Sequence, residues 1–237
     1  MYRENGLTNK SNVESVDERF FENWSHEMAY VLGFFAADGC LTKNSKRQNY
    51  YIEFVSTDLD VLKKIKTAMS AGQRITKKVS RVNSGKQGFR IQIGSKKLFQ
   101  NLLDLGFTSK KSNKVRCPEI PREYYHDFLR GVFDGDGCLT CGNYMRKDCR
   151  ALRKVISIRF TSGSKIFLEQ IINRISEIVG TKGGFIYVKQ SSAFELVYST
   201  LDTLKILRYI YQCKNCIYMN RKYKKSMELL ASRGLVA

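Results

Sequence analysis

Proline and histidine are scarce in this chain, with two of each in 237 residues, and tryptophan occurs once. So little proline beside 12% aromatic and 43% hydrophobic residues excludes a disordered chain and supports one large domain or two small ones. Long apolar runs are also missing. The longest, Met28 to Ala37, stops at Asp38, well short of the ~20 residues a membrane span needs. The opening Met-Tyr-Arg-Glu-Asn has no apolar signal-peptide core. An intracellular, soluble protein is expected, cytoplasmic in a bacterial or phage setting and organellar otherwise. There is no Gly-x-x-x-x-Gly-Lys-Ser/Thr loop and no Gly-x-Gly-x-x-Gly after a strand, so nucleotide-driven chemistry has no support.

Acidic residues are the other shortage: 22 Asp+Glu against 41 Lys+Arg, a net charge of +19. The excess is not parked in a tail. Residues 1–118 hold 21 basic and 11 acidic residues, and residues 119–237 hold 20 and 11. A basic surface spread over a whole folded chain points to a polyanionic partner, nucleic acid above all. Seven cysteines, an odd number without a secretory signal, argue against a disulfide framework. Two Cys-x-x-Cys pairs, Cys138/Cys141 and Cys213/Cys216, could together bind zinc.

What is present is a repeat. Residues 31–42 read VLGFFAADGCLT and residues 129–140 read LRGVFDGDGCLT, so Asp38 matches Asp136 at an offset of 98. Gly33, Phe35, Gly39, Cys40, Leu41 and Thr42 find the same residue types in the second copy. Cys138 is thereby the twin of Cys40, which has no Cys-x-x-Cys partner, and the zinc reading weakens. Downstream, Phe54 and Ser56 match Phe160 and Ser162. The interval from motif aspartate to serine is 18 residues in the first half and 26 in the second, so a loop insertion is expected around 141–154. Each half then reads as a helix (58–70; 164–179), two short strands (74–82 and 89–93; 185–189 and 194–198) and another helix. The motif itself ends a helix that opens each half, and Pro121 suits the first turn of the second one. The fold class is α+β: two pseudo-symmetric αββαββα halves, residues 26–118 and 119–237, after an extension of residues 1–25.

Gly33 and Ala37, like Gly131 and Gly135, lie four apart on one helical face, where small residues let two backbones approach. If the motif helices pack face to face, Asp38 and Asp136 meet at their C-terminal ends, and Gly39 and Gly137 follow as helix caps do. An aspartate there opposes the helix dipole by about 0.3–1 kcal/mol, and two of them repel each other. A hard cation in the gap resolves the conflict, and metals between carboxylates are what phosphodiester hydrolysis uses. Solvated aspartates ending an amphipathic helix pair are the bland alternative, weakened by the second copy.

The two segments resemble the paired motifs of the LAGLIDADG homing endonucleases in their single-chain form, and the resemblance runs from about Ala29 onward. It implies a site-specific endonuclease that cleaves both strands of a long, asymmetric duplex DNA by metal-dependent hydrolysis, leaving short 3′ overhangs. The motif aspartates carry over as catalytic metal ligands, Asp38 and Asp136, with the adjoining Ala37 and Gly135 at the metals. Mg²⁺ or Mn²⁺ is the implied cofactor, and Ca²⁺ can bind without supporting cleavage. The earlier acidic position is Asp134 in the second copy and Ala36 in the first. The family places a basic residue near each metal, between the last strand and final helix of each half. Matching SKKS (109–112) to NRKY (220–223) nominates Lys111 and Lys222. Ser56 and Ser162 stand where relatives carry a polar residue, commonly glutamine, at the active-site periphery. The implied partner is double-stranded DNA bound by a monomer. The alternatives on the same fold are an intron maturase that binds its own intron RNA and a non-cleaving DNA-binding regulator. His26 and His126 follow no metal-ligand spacing, which disfavours a histidine-based nuclease.

Strand alternation turns Ile52, Phe54, Ile91 and Ile93 toward the helices and leaves a polar face opposite. In the first half that face offers Thr42, Asn44, Lys46, Tyr51, Glu53, Arg74, Thr76, Lys78, Ser80, Arg90 and Gln92. In the second it offers Arg159, Tyr187, Lys189 and Glu195. These residue types suit base edges in the major groove, where the resemblance lays the two sheets as a saddle.

Overall fold

A computed structural model describes residues 15–78, 87–108, 115–145, 152–189 and 193–235. The first half runs α1 (His26–Asp38), β1 (Gly39–Asn44), β2 (Asn49–Ser56), α2 (Leu59–Ala68), β3 (Thr76–Lys78), β4 (Gly88–Gly94) and α3 (Lys96–Asp104). The second repeats it with α4 (Tyr125–Asp136), β5 (Gly137–Met145), β6 (Leu152–Ser162), α5 (Lys165–Val179), β7 (Phe185–Lys189), β8 (Ala193–Tyr198) and α6 (Thr200–Ile210). A further helix, α7 (Asn220–Ala231), follows. Each half holds one antiparallel four-stranded sheet, ordered β1-β2-β4-β3 and β5-β6-β8-β7.

Local sequence sets several of these boundaries. Ser25, Ser95 and Ser164 each accept a backbone N–H in the first turn of the helix they precede, as N-caps do. Gly180 ends α5 in the left-handed region (φ 67°). Ile52, Phe54, Ile91, Ile93, Ile158, Phe160 and Leu196 are buried, so each sheet turns one face to the helices. The repeat extends to core packing. Phe35 meets Phe54 with ring centroids 5.6 Å apart, and their counterparts Phe133 and Phe160 meet at 6.1 Å.

The motif helices α1 and α4 form the most extensive helix contact among the described residues. The small residues explain how. A Cβ on Gly33 would land on the Phe128 carbonyl oxygen. One on Gly131 would land on the Tyr30 carbonyl oxygen and lie 2.7 Å from the Phe34 nitrogen. One on Gly135 would run into the Ala37 methyl. These helices touch backbone to backbone, which any side chain at those positions would prevent.

Several expectations need correction. Gly39 and Gly137 do cap α1 and α4, donating to the carbonyls of Phe35 and Phe133, but with extended backbone (φ −86° and −83°) that begins a strand in place of the left-handed turn usual for a glycine cap. They are glycines because a Cβ would strike the ring of Phe35 or Phe133, four residues back. The insertion around 141–154 is more than a loop, since it lengthens the hairpin, with β5 and β6 spanning 9 and 11 residues against 6 and 8 for β1 and β2. Pro121 precedes a short 3₁₀ turn (Arg122–Tyr124) that leads into α4, and so sits outside its first turn. Arg74 precedes β3, and Lys46 lies in the β1–β2 turn, so neither is a strand residue. Cys213 and Cys216 are joined by a disulfide, whereas Cys138 and Cys141 are free thiols on an exposed hairpin.

Candidate active site

Because α1 and α4 lie in contact down to Ala37 and Gly135, their last residues, Asp38 and Asp136, are brought to the same end of the pair. Asp38 is half-buried and Asp136 is exposed. Neither helix has a basic residue in its last turn. The positive charge at this end comes from α7. The Lys222 ammonium donates to the carbonyls of Phe133 (2.5 Å), Asp134 (2.9 Å) and Gly137 (2.7 Å), using its three N–H donors on the end of α4. Burial pushes its pKa down to about 8, against the pull of Asp134, Asp38 and Asp136, so both motif carboxylates lie within its field. Lys222 therefore belongs to the final helix itself, not to a segment between the last strand and that helix. Lys111, its partner by the repeat, lies outside the described residues, as does Ser80.

Asp134 is fully buried. One carboxylate oxygen accepts from the Tyr30 hydroxyl of the other half (2.8 Å) and from the Met219 backbone (2.8 Å). Burial raises its pKa to about 6, although Lys222, these two hydrogen bonds and Arg130 pull it down. Its work is to hold α1, α4 and the start of α7 together. In the first half Ala36 occupies this place, and among the described residues of that half no carboxylate is fully buried. Ser56 and Ser162 act alike: each hydroxyl accepts the backbone N–H two residues on, closing the turn from strand to helix.

On the outer sheet faces, the nominated side chains gather around two glutamates. In the first half Glu53 meets Lys78 (3.3 Å) and Arg90 (3.6 Å). Tyr51 and Gln92 share its face through the strand register, and Thr42 lies opposite Tyr51. Thr76 hydrogen-bonds the Arg90 carbonyl (3.4 Å), and Asn44 accepts from the Arg47 backbone in the hairpin turn. In the second half Glu195 receives Arg159 (3.2 Å), Lys189 (3.2 Å) and a short bond from the Tyr187 hydroxyl. Its burial works to raise its pKa, but the bonds from Tyr187 and Lys189 prevail and hold it below the ordinary carboxylate value. The carboxylate sits on β2 in one half and on β8 in the other, so the faces share an architecture without sharing positions.

Sequence reading missed the polar line inside the helix interface. Arg130 is buried; it donates to the carbonyls of Ile210 and Ile217 (both 2.7 Å) and pairs with Asp127. Asp127 in turn meets His26 and His126. Spacing could not reveal a cluster drawn from two helices a hundred residues apart.

Residues 25–114 match the LAGLIDADG-like domain family. A 117-residue stretch, 49% of this chain, is 25% identical to an uncharacterized protein of Methanocaldococcus jannaschii and spans 40% of that relative's length, less than half. Among solved structures, the I-LtrWI LAGLIDADG homing endonuclease bound to target DNA is similar with a TM-score of 0.57 at 13% identity, over 88% of this chain and 91% of that one. I-SmaMI bound to an uncleaved DNA target in the presence of calcium ions gives 0.57 at 16%, over 90% and 93%. A mesophilic variant of the homing endonuclease I-DmoI gives 0.53 at 17%, over 80% and 97%. Residues 25–114 thus match a LAGLIDADG-like domain, the second half repeats the element order and sheet topology of the first, and the chain has in one polypeptide the fold of these LAGLIDADG homing endonucleases.

Proposed function

We propose that this protein is a site-specific endonuclease that hydrolyses both strands of a long, asymmetric DNA duplex, acting as a monomer. In this reading one half, residues 26–118, takes one side of the target and the other, residues 119–237, takes the opposite side. The observation that carries the proposal is the meeting of the two motif helix ends, with Asp38 and Asp136 together in the field of a buried ammonium. The donor set fits a hard divalent cation: carboxylate oxygens at the negative ends of two helices, a poor place for them without one. Asp38 and Asp136, with the adjoining Ala37 and Gly135, would hold Mg²⁺ or Mn²⁺. When bound, such a metal supplies an activated water and stabilises the leaving oxygen.

The chain's own contribution is orientation and charge. Lys222 pins the end of α4, which fixes the direction of Asp136, and its positive charge favours the negative charge gathering on a phosphate held there. Lys111 is assigned the matching role in the first half. The sheet faces around Glu53 and Glu195 would lie along the duplex, with Arg90, Gln92, Thr42, Tyr51, Arg159, Tyr187 and Lys189 toward the bases or phosphates. Calcium accompanies uncleaved DNA in the I-SmaMI structure, which supports Ca²⁺ as an ion this chain binds without cutting.

The test is cleavage of a sequence-diverse duplex library with Mg²⁺, with Ca²⁺ and with EDTA, followed by sequencing of the cut ends. Cuts at one long sequence with Mg²⁺ alone are expected. Asp38→Asn or Asp136→Asn should keep binding and abolish double-strand cutting; normal linearisation by either variant overturns the metal assignment. Enrichment by binding without cuts would instead identify a DNA-binding regulator, and neither binding nor cutting would favour the RNA maturase.

A further inference from the structure

We propose that His26, His126 and Asp127 form a second metal site, for Zn²⁺ or a similar transition-metal ion, that staples the two halves at the helix ends remote from Asp38 and Asp136. The three residues lie at the starts of α1 and α4, about 18 Å along the 13-residue α1 from its aspartate end. His26 Nδ1 lies 2.6 Å and His126 Nε2 3.0 Å from the same oxygen, Oδ2 of Asp127. The three candidate ligand atoms all fall within 4.8 Å of one another. Imidazole nitrogens with one carboxylate are donors of the borderline-soft class that Zn²⁺ takes, and three protein ligands leave a fourth position for water.

The surroundings are those of a supported site. The other Asp127 oxygen is held by Arg130, as a ligating carboxylate is usually anchored from behind. Asp127 and His126 are buried, but the His26 side chain is 59% exposed, which provides an entry path. Bonds of ~2.0 Å in a tetrahedron require ligand atoms about 3.3 Å apart, so the present spacing must open slightly. His26, the first residue of its helix, has the freedom to do so. The negative charge of Asp127 offsets the positive ends of the two helices.

The site comes with a reporter. Trp24, the single tryptophan, stacks on Tyr124 (6.2 Å), whose ring meets His26 edge-on (5.2 Å). The experiment is a Co²⁺ titration of the full chain carrying Cys40→Ser, Cys138→Ser and Cys141→Ser, in excess Mg²⁺. The serines remove the exposed thiols that compete for Co²⁺, and Mg²⁺ occupies the oxygen site without competing for imidazole. One equivalent of Co²⁺ should bind, give a visible ligand-field spectrum without a thiolate band, and quench Trp24. His26→Ala should weaken binding at least about tenfold, the lower end of what even a supporting group costs a metal site. His26→Gln, which keeps a hydrogen bond to Asp127 but is a poor ligand, should show the same loss. No one-to-one binding in the parent, or unchanged affinity in both His26 variants, overturns the site. Because no readout is DNA cleavage, the result stands apart from the nuclease assignment.

Discussion

Asp134 shows how one buried carboxylate is placed by its neighbours. The side chain carries its charge into the helix interface, where burial opposes ionisation and the Lys222 field, Tyr30 and the Met219 backbone favour it. Its pKa of about 6 stands above the ordinary 3.8, so folding favours the protonated acid. The stability this contributes is fully present below the unfolded value and is lost as pH rises through about 6. Asp134→Asn should therefore flatten the pH dependence of the thermal midpoint between these two values while keeping the amide in contact with Tyr30. A wild-type slope in the variant would show that the proton sits elsewhere. Glycine is as specific at this scale. Gly39 and Gly137 serve the phenylalanine rings beneath them, not an unusual backbone angle.

The elements that matter are the helix pair and the two sheet faces. At the helix pair the obstacle to any substitution is main chain, which cannot rotate away. Gly131→Ala should cost about 1–3 kcal/mol or more, the range for overpacking a tight core, measured by urea unfolding. A neutral result would mean the helices are farther apart than their glycines indicate. On the second sheet, Glu195 holds Arg159, Lys189 and Tyr187 in one cluster. Glu195→Gln removes a negative charge that a phosphate would otherwise have to displace. Binding to random duplex should tighten and its salt dependence steepen. Weaker binding would instead mark Glu195 as a direct contact to a base.

At the scale of the molecule the halves are joined by more than the motif helices. Helix α7 reaches back to the first half, where Lys64 donates to the Tyr218 carbonyl and the Asn220 side chain (both 2.8 Å) and Arg221 meets Asp58 (3.5 Å). Trp24, ahead of α1, stacks on Tyr124 of the second half. No helix among the described residues is long and apolar enough to cross a membrane. A charge of +19 spread over both halves should make duplex binding fall steeply with salt. If six or more phosphates are neutralised, affinity drops by roughly a thousandfold or more between about 50 and 200 mM. A flat response in a filter-binding series would remove the extended DNA surface from the proposal.

The linear order alone determined the repeat, the αββαββα plan of each half and the position of Asp38 and Asp136 at helix ends. These follow from local periodicity, small-residue spacing and a motif written twice. Periodicity also turned the right strand faces inward, since Ile52, Phe54, Ile91 and Ile93 are buried. It did not reveal α7, whose segment was matched to a stretch after α3 on the strength of one basic tetrapeptide. Nor did it show that Arg74 and Lys46 fall outside the strands, because strand ends are set by pairing partners rather than by the alternation itself. Only the tertiary structure decided what Lys222 touches, why Asp134 is buried and that His26, His126 and Asp127 converge. The physical reason is common to all three. Each depends on which side chains two remote segments present once their backbones are in contact, and a distance of that kind has no trace in spacing along the chain.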